Sequence, residues 1–97
     1  MPTIEEIKRT VSDISKEYGV KNVYLFGSYA RGDNNDESDI DLRIDKGNIR
    51  GLFMLSGFRN KIADSLGKDV DVLTTQSLDE SFLNRIAEEE ILLYENK

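Results

Sequence analysis

The chain of 97 residues contains no cysteine and no histidine. The first absence rules out disulfides and thiolate metal sites, and the second removes the commonest imidazole ligand and general base. Chemistry must therefore run on carboxylates, hydroxyls, lysine, arginine, tyrosine or a bound hard metal. Long apolar runs are also missing. The longest are about four residues, against the ~18 that a membrane-spanning helix needs, and the opening MPTIEEIKRT is charged where a signal peptide would be apolar. These features predict a soluble, cytoplasmic protein with no membrane association. Basic excess is lacking too: 13 Lys and Arg stand against 19 Asp and Glu, a net charge of -6. That balance disfavours direct nucleic-acid binding, which depends on neutralising phosphates. A small phosphate ligand remains compatible, because metal ions and local amides can overcome the overall field.

What is present suits one compact domain spanning residues 1–97. Hydrophobic residues make up 38% and charged residues 33%, an ordinary mixture for a folded, solvated unit. Thr3 and Glu6 have capping-box spacing, and Ile4, Ile7, Val11, Ile14 and Tyr18 recur at helical intervals up to Gly19. VKNVYLF then predicts a largely buried strand ending at Gly27. DIDLRI alternates, with Asp39, Asp41 and Arg43 on one face and Ile40, Leu42 and Ile44 on the other. Lys46-Gly47 breaks that strand, and Leu52, Leu55, Phe58, Ile62 and Leu66 predict a second apolar-faced helix ending at Gly67. DVDVL predicts a third strand, and Ser77 or Asp79 can cap a helix carrying Phe82, Leu83 and Ile86. ILLY, Ile91 to Tyr94, reads equally as a last strand or as a continuation of that helix. As a strand it would be an edge open to pairing in a homo- or hetero-oligomer. The alternation predicts a two-layer α/β (α+β) unit.

Two acids at alternate positions of a strand lie ~6.6–6.8 Å apart on one face. Asp39 and Asp41 can thus converge on a cation, and Mg²⁺ favours a few carboxylate oxygens together with substrate phosphates. Asp71 would complete the set if its strand lies beside theirs, with Asp69 on the same face as its rival. At the other end of the loop, Gly27 admits close approach of backbone to a ligand, Ser28 offers a hydroxyl, and a helical turn after them would present free amides to an anion.

Gly27-Ser28, ten intervening residues and Asp39-Ile40-Asp41 spell G-S-x10-D-x-D. The segment GSYARGDNNDESDIDL resembles the active-site segment of minimal nucleotidyltransferases of the DNA polymerase beta-like superfamily. Residues at these fixed spacings would coincide by chance on the order of once per thousand chains of this length. The resemblance covers nearly the whole chain. It implies a small mixed sheet with helices packed on one face, two Mg²⁺ ions held by Asp39, Asp41 and Asp71, and the triphosphate of ATP held at Gly27 and Ser28. Val70-Asp71-Val72 has the form of the family's third acid, which favours Asp71 over Asp69. The resemblance also implies a partner, a HEPN-domain toxin that such antitoxins modify by attaching AMP to a tyrosine. Rival implications are an antitoxin that only binds and blocks the toxin, or transfer to a small molecule such as an aminoglycoside.

Other residues invite plainer readings. Asp33, Asn35 and Glu37 begin like a calcium loop, but Ser38 stands where glycine is needed and Ile44 where the closing glutamate should be. Arg31 and Arg43 are each expected as a phosphate contact, Arg31 as a nucleotide-binding residue, or as a surface ion-pair partner, and Tyr29 as a cover for the core or a neighbour of the base. Glu88 to Glu90 reads as a solvated helix face.

Overall fold

The computed structural model describes residues 1–96. It opens with helix α1 (Ile4–Tyr18), whose Thr3 and Glu6 form the predicted reciprocal capping box and whose C-terminus is closed by Gly19 in the left-handed conformation. Strand β1 (Asn22–Phe26), the four-residue helix α2 (Ser28–Arg31) and strand β2 (Ile40–Asp45) follow. Helix α3 (Gly51–Leu66) crosses to strand β3 (Val70–Thr74), and a 3₁₀ turn at Thr75–Ser77 leads to helix α4 (Glu80–Ala87) and strand β4 (Ile91–Glu95). Asp79 caps α4 through a 2.7 Å bond from the Phe82 amide. Ser77, the other predicted cap, instead donates its hydroxyl to the Thr74 carbonyl.

The sheet order is β3-β2-β1-β4. β1 runs antiparallel to both β2 and β4, whereas β2 and β3, joined through α3, are parallel. ILLY is therefore an edge strand, with its register shifted between Val23 and Tyr24 of β1. Three consecutive apolar residues at 91–93 followed by tyrosine suit a strand that can pair, and α4 has already ended at Ala87.

Strand alternation sets the layers. Ile40, Leu42 and Ile44 of β2 and Val23 and Leu25 of β1 are buried with Ile7, Val11, Phe58 and Ile62 from α1 and α3. Each such side chain contributes about 1.5–3 kcal/mol through burial, so Leu42→Ala would cost about 2–5 kcal/mol. Tyr29 also belongs to this core at 2% exposure, which removes it as a neighbour of a base. Leu52 departs from its expected core role. It is 80% exposed, and Phe53 beside it 97%, whereas Met54 and Leu55 pack against the core, so the helix's apolar contacts begin only after its first residues. On the opposite sheet face, Phe82 of α4 meets Phe26 edge to face with ring centroids 5.9 Å apart. The two long helices thus take one face, and the short α4 covers part of the other, over the end of β1. Among the described residues no helix is long and apolar enough to cross a membrane.

Candidate active site

The polar face of β2 meets the end of β1 and the start of β3 at one edge of the sheet. Asp41 pairs in register with Phe26 on one side and Asp71 on the other. Paired residues of adjacent strands, ~4.8 Å apart, point to the same face, so Asp71 stands directly beside Asp41. Asp69 lies one pleat further back, where its carbonyl accepts from the Ile40 amide. Asp39 precedes β2 by one residue and is exposed, facing a hollow shared with Glu37, Arg59 and Asp69.

Electrostatics separate Asp41 from the rest. Its carboxyl is pushed up to about 6, first by burial and then by Asp71 and Asp39, while Arg31 pulls the other way. Two carboxylates crowding a third disfavour its ionisation until a cation is near. Asp39, Asp41 and Asp71 therefore offer hard oxygen donors and a deficit of positive charge, which fits a divalent metal. Among the described residues no three acidic side chains stand close enough together, as placed, to hold a metal ion. The structure sets Asp41 beside Asp71, with Asp39 acting on Asp41 from the strand end.

Gly27 joins β1 to α2 with φ 78° and ψ −156°, a region that is essentially glycine-only. A Cβ there would collide with the Asp41 carboxylate. The phosphate half and the metal half of the predicted site are thus in direct apposition. A cleft of about 460 Å³ lies over them, lined by Phe26, Gly27, Ser28, Arg31, Asp41, Phe82, Arg85, Ile86 and Glu89.

Its far wall was not visible in the sequence. Phe82, Ile86 and Glu89 succeed one another at intervals of four and three, so the face of α4 and its exit reach over the Gly-Ser turn. Glu89 accepts from the Gly27 amide at 2.6 Å and from Arg31 Nη1 at 3.2 and 3.3 Å. Arg31 also donates Nε to Asp33 at 3.2 Å, and the two carboxylates, Asp33 more than Glu89, hold its guanidinium protonated. Arg43 takes no part in the cleft. Its side chain is 11% exposed, donates two bonds to Glu90 at 2.8 and 3.1 Å and one to Thr75, and lies 4.0 Å over the Tyr24 ring. The expected solvated face of Glu88 to Glu90 is thus corrected. The helix stops before these residues, and Glu89 and Glu90 turn inward onto the two arginines, leaving only Glu88 exposed.

Residues 5–97 match the family model described as Polymerase beta, Nucleotidyltransferase, and the chain belongs to that family. A relative from Methanocaldococcus jannaschii, provisionally named a protein adenylyltransferase, is 39% identical over 88 residues, 91% of this chain and 95% of its own length. The protein adenylyltransferase MntA of Thermococcus cleftensis is 33% identical over 82 residues, 80% of this chain and 83% of that protein. A solved structure of a tri-AMPylated Shewanella oneidensis HEPN toxin in complex with MNT antitoxin superposes with a TM-score of 0.74. It covers 97% of this chain and 74% of that one at 18% identity, a likeness of fold. The family and fold implied by the G-S-x10-D-x-D spacing are the ones found.

Proposed function

We propose that this protein is a Mg²⁺-dependent adenylyltransferase that transfers AMP from ATP to a tyrosine hydroxyl of a HEPN-type toxin, and so acts as its antitoxin. The observation that carries the reading is the Asp41–Asp71 pair set against the Gly27–Ser28 turn, with Asp41 pushed up to about 6 by burial and its acidic neighbours. The names of the relatives supply the acceptor class, a protein, and the solved complex supplies its kind.

Asp39, Asp41 and Asp71 would hold two divalent ions, which supply charge neutralisation for the triphosphate and acidify the attacking hydroxyl. The chain's own residues do the rest. Gly27, having no Cβ, lets a phosphate oxygen approach its backbone, and Ser28 adds a hydroxyl donor. Phe26 and Phe82 form an apolar wall of the cleft that excludes water from one side of the nucleotide. The phenolic oxygen attacks the α-phosphorus in line, the bond to the β-phosphate oxygen breaks, and pyrophosphate departs. Asp71, exposed beside Asp41, would take the phenolic proton. The cleft is open to solvent, so the acceptor tyrosine would reach it from the partner's surface. Transfer of label from α-labelled ATP to the toxin tests the assignment. Asp39→Asn combined with Asp41→Asn should abolish it, and undiminished transfer would refute it.

A further inference from the structure

Glu89 holds the position where an anion would be expected. Its carboxylate takes the Gly27 amide and Arg31 together, the pairing of backbone N–H and guanidinium that recognises phosphate oxygens. Its side chain is only 23% exposed and lines the same cleft as Ser28 and Asp41. We propose that the Glu89 carboxylate is an internal stand-in for a nucleotide phosphate, seated on Gly27 and Arg31 in the free protein and displaced when a nucleoside triphosphate binds. This rests on the reading of the Gly27–Ser28 turn as the triphosphate contact.

The exchange requires movement of one side chain only. The amides of Glu89 and Glu90 both bond to the Ile86 carbonyl, at 3.0 and 2.9 Å, and Glu90 is anchored on the largely buried Arg43 side chain. The backbone carrying Glu89 is therefore pinned at both sides, and its carboxylate leaves the cleft by rotating about its own side-chain bonds. A phosphate oxygen and a carboxylate cannot share one N–H donor, and two anions beside Asp41 repel. Glu89 thus lowers the apparent affinity for nucleotide by the fraction of time it spends away from Gly27. It also keeps the amide and arginine satisfied between turnovers, and it competes with the outgoing pyrophosphate for the same donors.

The test is equilibrium binding of ATP, with Mg²⁺, and of inorganic tripolyphosphate to wild type, Glu89→Ala and Glu89→Gln, with thermal melts of each. Glu89→Gln retains an acceptor for Gly27 without the charge, so it remains informative if the alanine variant does not fold. Tighter binding of both ligands, roughly tenfold for alanine with glutamine between alanine and wild type, is the expected result. Equal or weaker binding by both variants would make Glu89 a brace for the turn and overturn the proposal, leaving the nucleotide site intact. If neither wild type nor variants bind either ligand, the triphosphate reading of the turn falls, and this inference with it.

Discussion

Gly27 and Asp41 occupy adjoining space to the exclusion of any side chain at residue 27. A Cβ on Gly27 would meet Asp41 Oδ2, and the Asp41 Cγ would lie 3.1 Å away. The serine-bearing turn and the carboxylate-bearing strand are thus in contact, and the glycine of the motif is required by both its backbone angles and its neighbour. Gly27→Ala should lose about 1–3 kcal/mol in denaturant unfolding, the cost of a non-glycine residue in that conformation. It should lose nucleotide transfer more severely, because Asp41 can relieve the collision only by turning away. Retention of both properties would show that the turn adapts without moving Asp41.

The raised pKa of Asp41 carries a stability consequence. Below its ordinary value of 3.8 the carboxyl is protonated in folded and unfolded chains alike, and it subtracts nothing. Above about 6 the folded protein must carry a charge that its surroundings disfavour, so stability from this group falls as pH rises through that window. Asp41 is partly open to solvent, and after screening the penalty at pH 7 is about 1–2 kcal/mol. Asp41→Asn should therefore melt several degrees above wild type at pH 7 in EDTA, while losing transferase activity. The gap should close as pH is lowered to 4, and a variant less stable than wild type at pH 7 would contradict the electrostatic account.

Arg43 shows why a strand-face arginine beside two aspartates need not bind substrate. Its guanidinium is committed to Glu90, Thr75 and the Tyr24 ring. Arg43→Ala should cost about 3–5 kcal/mol, since it leaves the largely buried Glu90 carboxylate uncompensated. Pairing Arg43→Met with Glu90→Leu should recover most of that loss, which urea unfolding of the two single variants and the double would measure.

Phe53 provides the converse case. At 97% exposure it makes no part of the core, so Phe53→Ser should change unfolding free energy by less than about 0.5 kcal/mol. A larger loss would mean that the first turn of α3 packs more closely than its exposure indicates.

These residues also explain how far the sequence could be read. Strands and long helices were legible because each carries a period: Ile40, Leu42 and Ile44 alternate, and Ile7, Val11 and Ile14 recur at helical spacing. The candidate site was legible because the Gly27–Ser28 turn and Asp39-Ile40-Asp41 are joined by a loop of fixed length. Leu52 departs from its expected place because periodicity marks a helical face but not which of its turns a neighbour covers. ILLY was undecided because a short apolar run fits either element, and only pairing with β1 settles it. Glu89 and Glu90 were read as solvated because their partners, Arg31 and Arg43, lie 58 and 47 residues earlier. Local pattern carries no information about contacts made at that range. The preference for Asp71 over Asp69 likewise depends on a motif, because which of the two pairs in register with Asp41 is set by strand pairing and not by local pattern.

The central claim is that the Asp41–Asp71 edge serves transfer of AMP to a protein acceptor. Its most direct test is intact-mass analysis of a HEPN-type toxin after incubation with the wild-type chain, ATP and Mg²⁺. The account predicts a mass gain of one or more AMP units, located on tyrosine and absent with Asp39→Asn/Asp41→Asn. An unmodified toxin, or the same gain with the double variant, would contradict it.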